Sequence, residues 1–147
     1  MKILFLDIDG VLNRTTTQER VQTIFGPFIG IDGELVEKFK GWWSGHSDLY
    51  LVLSSSWRAD ERFDGAFRKC IREAGLSFVG ETPRTTNGRG GDILAYIQAQ
   101  PQQPQVTRWA ILDDVDCTPL NHLLVRTDHS KGLTQENLQQ LDKLLGY

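Results

Sequence analysis

In "ILFLDIDGVLN", residues 3–13, Asp7 and Asp9 are two carboxylates two positions apart, just past an apolar run. Residues two apart on an extended chain point to the same side, so both can address one small space, and Gly10 lets the backbone turn away behind them. Two carboxylates facing one space repel each other. A shared proton or a bound cation relieves the repulsion, and oxygen-only ligands favour a hard ion such as magnesium. A strand followed by an ordinary acidic turn would read the same way, so this stretch alone leaves both meanings open. Two further apolar runs end in polar groups. "LYLVLSSS" leads into Ser54, Ser55 and Ser56, and "RWAILDDVD" into Asp113, Asp114 and Asp116.

Continuous apolar runs without alternation suit strands covered on both faces inside a parallel sheet, where ligand crevices lie at the C-terminal strand ends. The rest of the chain supplies the layers. Asp32 is placed to cap a helix carrying Leu35, Phe39 and either Trp42 or Trp43 at helical spacing, with the other tryptophan turned outward and Gly45 as the end. Phe63, Phe67, Cys70, Ile71 and Ala74 predict a second helix stopping at Gly75, followed by a short strand in "LSFVG". Residues 80–91 read as a glycine-rich loop, and Ile93, Leu94 and Ile97 as a short helix after it. "QAQPQQPQ" reads as a polar connector, "HLLVRTD" as a fifth strand, and Thr134 with Leu138, Leu141 and Leu145 as a capped last helix. Residues 13–31 read as a loop or small flap, too few for an inserted domain. The alternation predicts an α/β fold: one Rossmann-like, three-layer domain over residues 1–147, a central parallel sheet of about five strands, helices on both faces and no large cap. If the strands ending in Asp7, Ser54 and Asp113 are neighbours, those groups share one edge.

A chain of 147 residues is long enough for one core and short for two. Its net charge of −3 excludes a broad basic surface for duplex nucleic acid and leaves room for a local patch that engages an end or a single strand. Cys70 and Cys117 lack metal-site spacing and fit a reduced, cytoplasmic setting, and the N-terminal apolar run is too short to cross a membrane. No obligate protein partner is indicated. His46, His122 and His129 show no ligand spacing.

"FLDIDGVLN" resembles the first motif of the haloacid dehalogenase (HAD) superfamily, "LVLSSS" its second and "AILDDVD" its acidic fourth, in the same order over nearly the whole chain. With "SSSWR", "GRGGDI" and "KGLT", the chain is most similar to small capless members, including phosphatase-like domains associated with RNA repair. The resemblance implies that Asp7 is a nucleophile forming an aspartyl-phosphate and that Asp9 is the general acid and base. It implies magnesium held by the Asp7 carboxylate, the Asp9 main-chain carbonyl and Asp114, with Asp113 acting through water, and Ser54 bonded to a phosphate oxygen. The third motif departs from the usual lysine. Arg89 in "GRGGD" stands in its place, with Arg84 and Lys131 as rivals. Arg58 reads as solvent-facing or as reaching substrate, and Trp57 as packing or as stacking on a base. The implied activity is a magnesium-dependent phosphatase acting on a phosphate monoester, a small molecule or a bulky substrate such as a nucleic-acid end. A phosphotransferase using the same intermediate and a non-catalytic binding module are the alternatives. The late position of the DD pair excludes a receiver domain.

Overall fold

Strand β1, Lys2–Leu6, lies at the centre of the sheet, as its uninterrupted apolar sequence requires. In this computed structural model, which describes residues 1–100 and 106–147, the remaining strands are β2 Arg20–Thr23, β3 Gly26–Ile29, β4 Leu49–Leu53, β5 Gly80–Glu81, β6 Arg108–Asp113 and β7 Leu124–Arg126. The helices are α1 Gly33–Trp43, α2 Ala66–Glu73, α3 Gly88–Gln98 and α4 Gln135–Leu145. Five strands form one parallel sheet in the order β5-β4-β1-β6-β7. The order runs outward from β1 in both directions, so the chain reverses its progress at β1, the place where such sheets open a crevice.

Alternate residues of the central strands divide the core between two faces. Leu4, Leu6, Leu51, Leu53, Ala110 and Leu112 pack with Leu35 and Phe39 of α1, Phe67 and Ile71 of α2, and Leu138 and Leu141 of α4. Ile3, Phe5, Val52 and Ile111 pack on the other face with Ile93 of α3. Two caps behave as their sequences predict. The Asp32 carboxylate accepts from the Glu34 and Leu35 amides, and Thr134 with Asn137 closes a capping box on α4. Within the 13–31 segment, β2 and β3 form an antiparallel hairpin, called the flap below. No helix among the described residues is long and apolar enough to cross a membrane.

Four elements differ from their sequence reading. Phe63 is outside α2, in a short 3-10 turn Glu61–Phe63, because Asp64 and Gly65 both take left-handed backbone angles (φ 53° and 75°) that no helix can pass through. The Asp60 carboxylate then accepts from the Phe67 and Arg68 amides and restarts the helix. The third strand of the sheet is only Gly80–Glu81 rather than "LSFVG": Leu76 turns into the core and the chain meets the β4 edge first at Val79. The loop expected over 80–91 is shorter, since α3 begins at Gly88, inside the glycine run. Both Trp42 and Trp43 pack on Phe39, their indole N–H groups donating to Asp142 Oδ1 and the Leu49 carbonyl, so neither is turned out. Of the "QAQPQQPQ" connector, α3 takes Gln98, and residues 101–105 lie outside the described residues.

Candidate active site

Sheet order brings the three polar strand ends together. The Ser54 amide donates to Leu6 O on one side of β1, and the Asp7 amide donates to Leu112 O on the other, both at 3.0 Å, so Ser54, Asp7 and Asp113 stand abreast. Asp7 and Asp113 are almost completely buried, and Asp114 is half-buried beside them. One oxygen from each of these three carboxylates lies within 4.8 Å of the others. Burial, then the charge of Asp113, pushes the Asp7 carboxyl well above the usual range. Burial likewise raises Asp113 to about 6, against the pull of Arg89.

Arg89, in the first turn of α3, reaches this cluster. Its Nη1 lies 3.0 Å from Asp113 Oδ2 and 3.4 Å from Asp7 Oδ1, and also donates to the Ser54 carbonyl. The rivals go elsewhere. Arg84 is exposed and leans on Glu61 at 3.5 Å, and Lys131 is exposed beyond β7. Asp113 is also held by its own turn, Oδ1 accepting from the Asp114 and Val115 amides at 2.8 and 3.2 Å. The Ser54 hydroxyl is fully buried and, among the described residues, is the one buried side-chain polar atom without a hydrogen-bond partner. A native structure rarely leaves such a group unmet unless a ligand or water completes it.

Asp9 sits at the solvent side of the cluster. Its Oδ1 accepts from Asn13 Nδ2 at 2.8 Å, and the same buried amide donates to Gly30 O at 2.9 Å and accepts the Gly10 amide at 2.8 Å. Asn13 therefore joins Asp9 to the base of the flap. Thr127, after β7, donates to Gly10 O at 2.7 Å and anchors the same turn from the far side of the sheet. Sequence reasoning left both unassigned, although Asn13 closes the quoted motif. The shape of the turn also explains its glycine: at φ +79° a Cβ on Gly10 would lie 2.2 Å from Asp114 Oδ2.

Arg58 corrects the sequence reading most sharply. It is buried, donating to Ser55 O, Thr82 O and Pro83 O, to the Thr82 hydroxyl, and to Asp92 Oδ2 at 3.2 Å. Asp92 in turn accepts from the Thr85 amide and hydroxyl, both at 2.7 Å. This network ties the turn after Ser54 to the start of α3, and so sets where Arg89 emerges. Trp57 is buried against Phe67, a packing role. Neither cysteine competes as a nucleophile: burial pushes the Cys70 thiol up and Cys117 up to about 12.

Gly90 allows α3 to come this close. A Cβ there would lie 2.2 Å from the carbonyl oxygens of both Cys117 and Thr118. Gly90→Ala is expected to lose about 2–3 kcal/mol of stability and to displace Arg89. Gly41→Ala on α1, where a Cβ meets nothing within 4 Å, should gain roughly 0.5–1 kcal/mol instead. Urea melts of the two variants check the contrast.

A cleft of about 780 Å³ opens from Asp9 and Asp114, between the flap and the Ser56–Phe63 segment. The parallel sheet, its reversal at β1 and the acidic strand ends together define a HAD-type hydrolase. The family model of the HAD domain in Swiss Army Knife RNA repair proteins matches residues 3–138, and the chain belongs to that family. No curated protein and no solved structure matches it.

Proposed function

We propose that the protein is a magnesium-dependent phosphatase that cleaves a phosphate monoester through an aspartyl-phosphate on Asp7. The observation that carries this reading is the buried Asp7 carboxylate abreast of Ser54 and Asp113, with Arg89 against it. An Asp7 oxygen attacks phosphorus while the bond to the ester oxygen breaks, and Asp9 gives that oxygen its proton. Asp9, now a carboxylate, takes a proton from water, whose oxygen attacks the phosphoryl group and returns Asp7 as a free carboxylate. Arg89 and the unmet Ser54 hydroxyl supply donors to phosphate oxygens, and a guanidinium serves this purpose as well as the family's usual lysine.

The donor set fits magnesium. Ligands about 2.1 Å from an octahedral ion lie roughly 3–4.2 Å apart, within the spread of the three carboxylates, and one arginine does not balance three acids. Asp7, Asp114 and the Asp9 main-chain carbonyl would hold the ion, with Asp113, already engaged by Arg89 and two amides, behind them. When bound, it would offset the charge gathered on the phosphoryl oxygens. The cleft, bordered by a small flap rather than a cap domain, leaves room for a bulky ester. The family's link to RNA repair favours a nucleic-acid end among such esters. The two free cysteines support a reducing, cytoplasmic setting.

Hydrolysis of p-nitrophenyl phosphate with magnesium, with chelator and with calcium tests the reading. Activity is expected only with magnesium, and full activity in chelator contradicts it. A second measurement follows from the raised carboxyls. A carboxyl pushed up on folding costs nothing below its unfolded value near pH 4, and its penalty grows as pH rises through the folded value, about 6 for Asp113. The metal-free protein should therefore lose stability over that window, and magnesium, which binds the ionised form, should restore it. Thermal melts should show a larger magnesium shift at pH 8 than at pH 5. Equal shifts would place the ion away from Asp7 and Asp113.

A further inference from the structure

The proposed phosphate chemistry lies at the Asp9 and Asp114 end of the cleft of about 780 Å³ and leaves the rest of its lining without a role. Phe28 and Ile29 of the flap, and Trp57, Phe63 and Phe67, belong to this remainder, joined by the exposed Arg62 and Arg84. Phe63 and Phe67 are used in packing: each meets Phe28 edge-on, at 5.4 and 5.7 Å, and they meet each other at 4.9 Å. Phe28, 39% exposed, is the most open phenyl ring lining the cleft.

We infer that this cleft receives a nucleoside as the leaving group of the ester, its planar base held against Phe28, with Arg62 and Arg84 taking a further phosphate of the same substrate. The inference rests on the phosphatase reading and names the part of the substrate beyond the scissile bond. Aromatic side chains hold a ring by its π-face whatever its hydrogen-bonding pattern, and guanidinium groups fork onto phosphate. Of the three arginines on the cleft, Arg14 is committed to Asp32 and Glu34, both at 3.2 Å. Among the described residues Arg84 has only its exposed pair with Glu61, which holds it weakly, and Arg62 makes no ion pair. An alkyl chain would fill the apolar volume equally well and leave both guanidiniums unused.

The test compares kcat/KM of the wild-type protein, with magnesium, for adenosine 3′- and 5′-monophosphate, a dinucleotide phosphorylated at the end the enzyme prefers, hexyl phosphate and β-glycerophosphate. The better mononucleotide should exceed both alkyl esters by roughly tenfold or more, the size of one base–aromatic stack, and the dinucleotide should exceed the mononucleotide. Phe28→Leu, which keeps the apolar volume and removes the ring, should lower the ratio of nucleotide to β-glycerophosphate about tenfold through KM, and Phe28→Trp should retain it. Arg62→Gln with Arg84→Gln should remove the advantage of the dinucleotide over the mononucleotide. A flat profile across the esters, a preference for hexyl phosphate, or a Phe28→Leu variant with an unchanged ratio would overturn the ring site while leaving the phosphatase reading in place. No hydrolysis of any ester would overturn that reading and the ring site with it.

Discussion

Asp7→Asn should lower kcat for p-nitrophenyl phosphate by ~10⁴-fold or more while the metal-free protein melts no lower than wild type. The amide is nearly isosteric with the carboxylate and cannot act as a nucleophile toward phosphorus, so the step that forms the aspartyl-phosphate has no substitute. Stability should move the other way. Burial and the neighbouring Asp113 make the ionised Asp7 unfavourable in the folded protein, and a neutral amide escapes that cost. Arg89 keeps its 3.0 Å partner in Asp113, so the site does not lose its counter-charge. Steady-state assays and thermal melts on one preparation separate lost chemistry from lost fold. An acid quench of the wild type during turnover of labelled substrate should leave the label on Asp7. Near-normal hydrolysis by Asp7→Asn would rule out the covalent route.

Asp9→Asn should slow esters with poor leaving groups, such as alkyl phosphates, far more than p-nitrophenyl phosphate, whose leaving group needs little protonation. General acid assistance is worth ~10²–10⁴-fold, so the contrast should be large. In the proposed route Asp9 is also the base for the second step, so steady-state rates of both esters can fall together, and the single-turnover burst is the discriminating measurement. Asn13→Ala should reproduce a fraction of the same contrast, because it frees the Asp9 carboxylate from its 2.8 Å bond without removing it. An Asp9→Asn burst slowed equally for both esters would assign the proton transfer to another group.

Much of this site is legible in residues 1–13 because its determinants are local. A run of apolar residues without alternation can be buried only with both faces covered, and a DxDG ending puts two carboxylates on one side of a turn that needs a glycine. The caps at Asp32 and Thr134 are local for the same reason: a side chain bonds to amides two or three residues away. Phe63 and Arg58 were harder to place. Apolar periodicity continues through Phe63, although the left-handed pair Asp64 and Gly65 interrupts the helix. An arginine after a serine cluster reads as a surface residue until carbonyls from its own turn after β4 and from the loop after β5, and the Asp92 carboxylate on α3, surround it.

The strand–helix alternation and the acidic and hydroxyl strand ends can be read along the chain, and with them an expectation of chemistry built on carboxylates. Which of these groups meet depends on how the strands are ordered in space. The order β4-β1-β6 sets Ser54 and Asp113 on either side of Asp7, and strands separated by more than forty residues of chain carry no local signal of being neighbours. That Arg89 reaches the cluster while Arg84 and Lys131 do not is of the same kind. All three are charged, polar-context residues by sequence, and they are distinguished by the approach of α3, which the missing side chain of Gly90 permits. Burial completes the difference between Asp113 and Asp114. They are adjacent and chemically identical, yet the pleat turns one into the protein, where loss of water raises its carboxyl, and leaves the other half open beside Gly10.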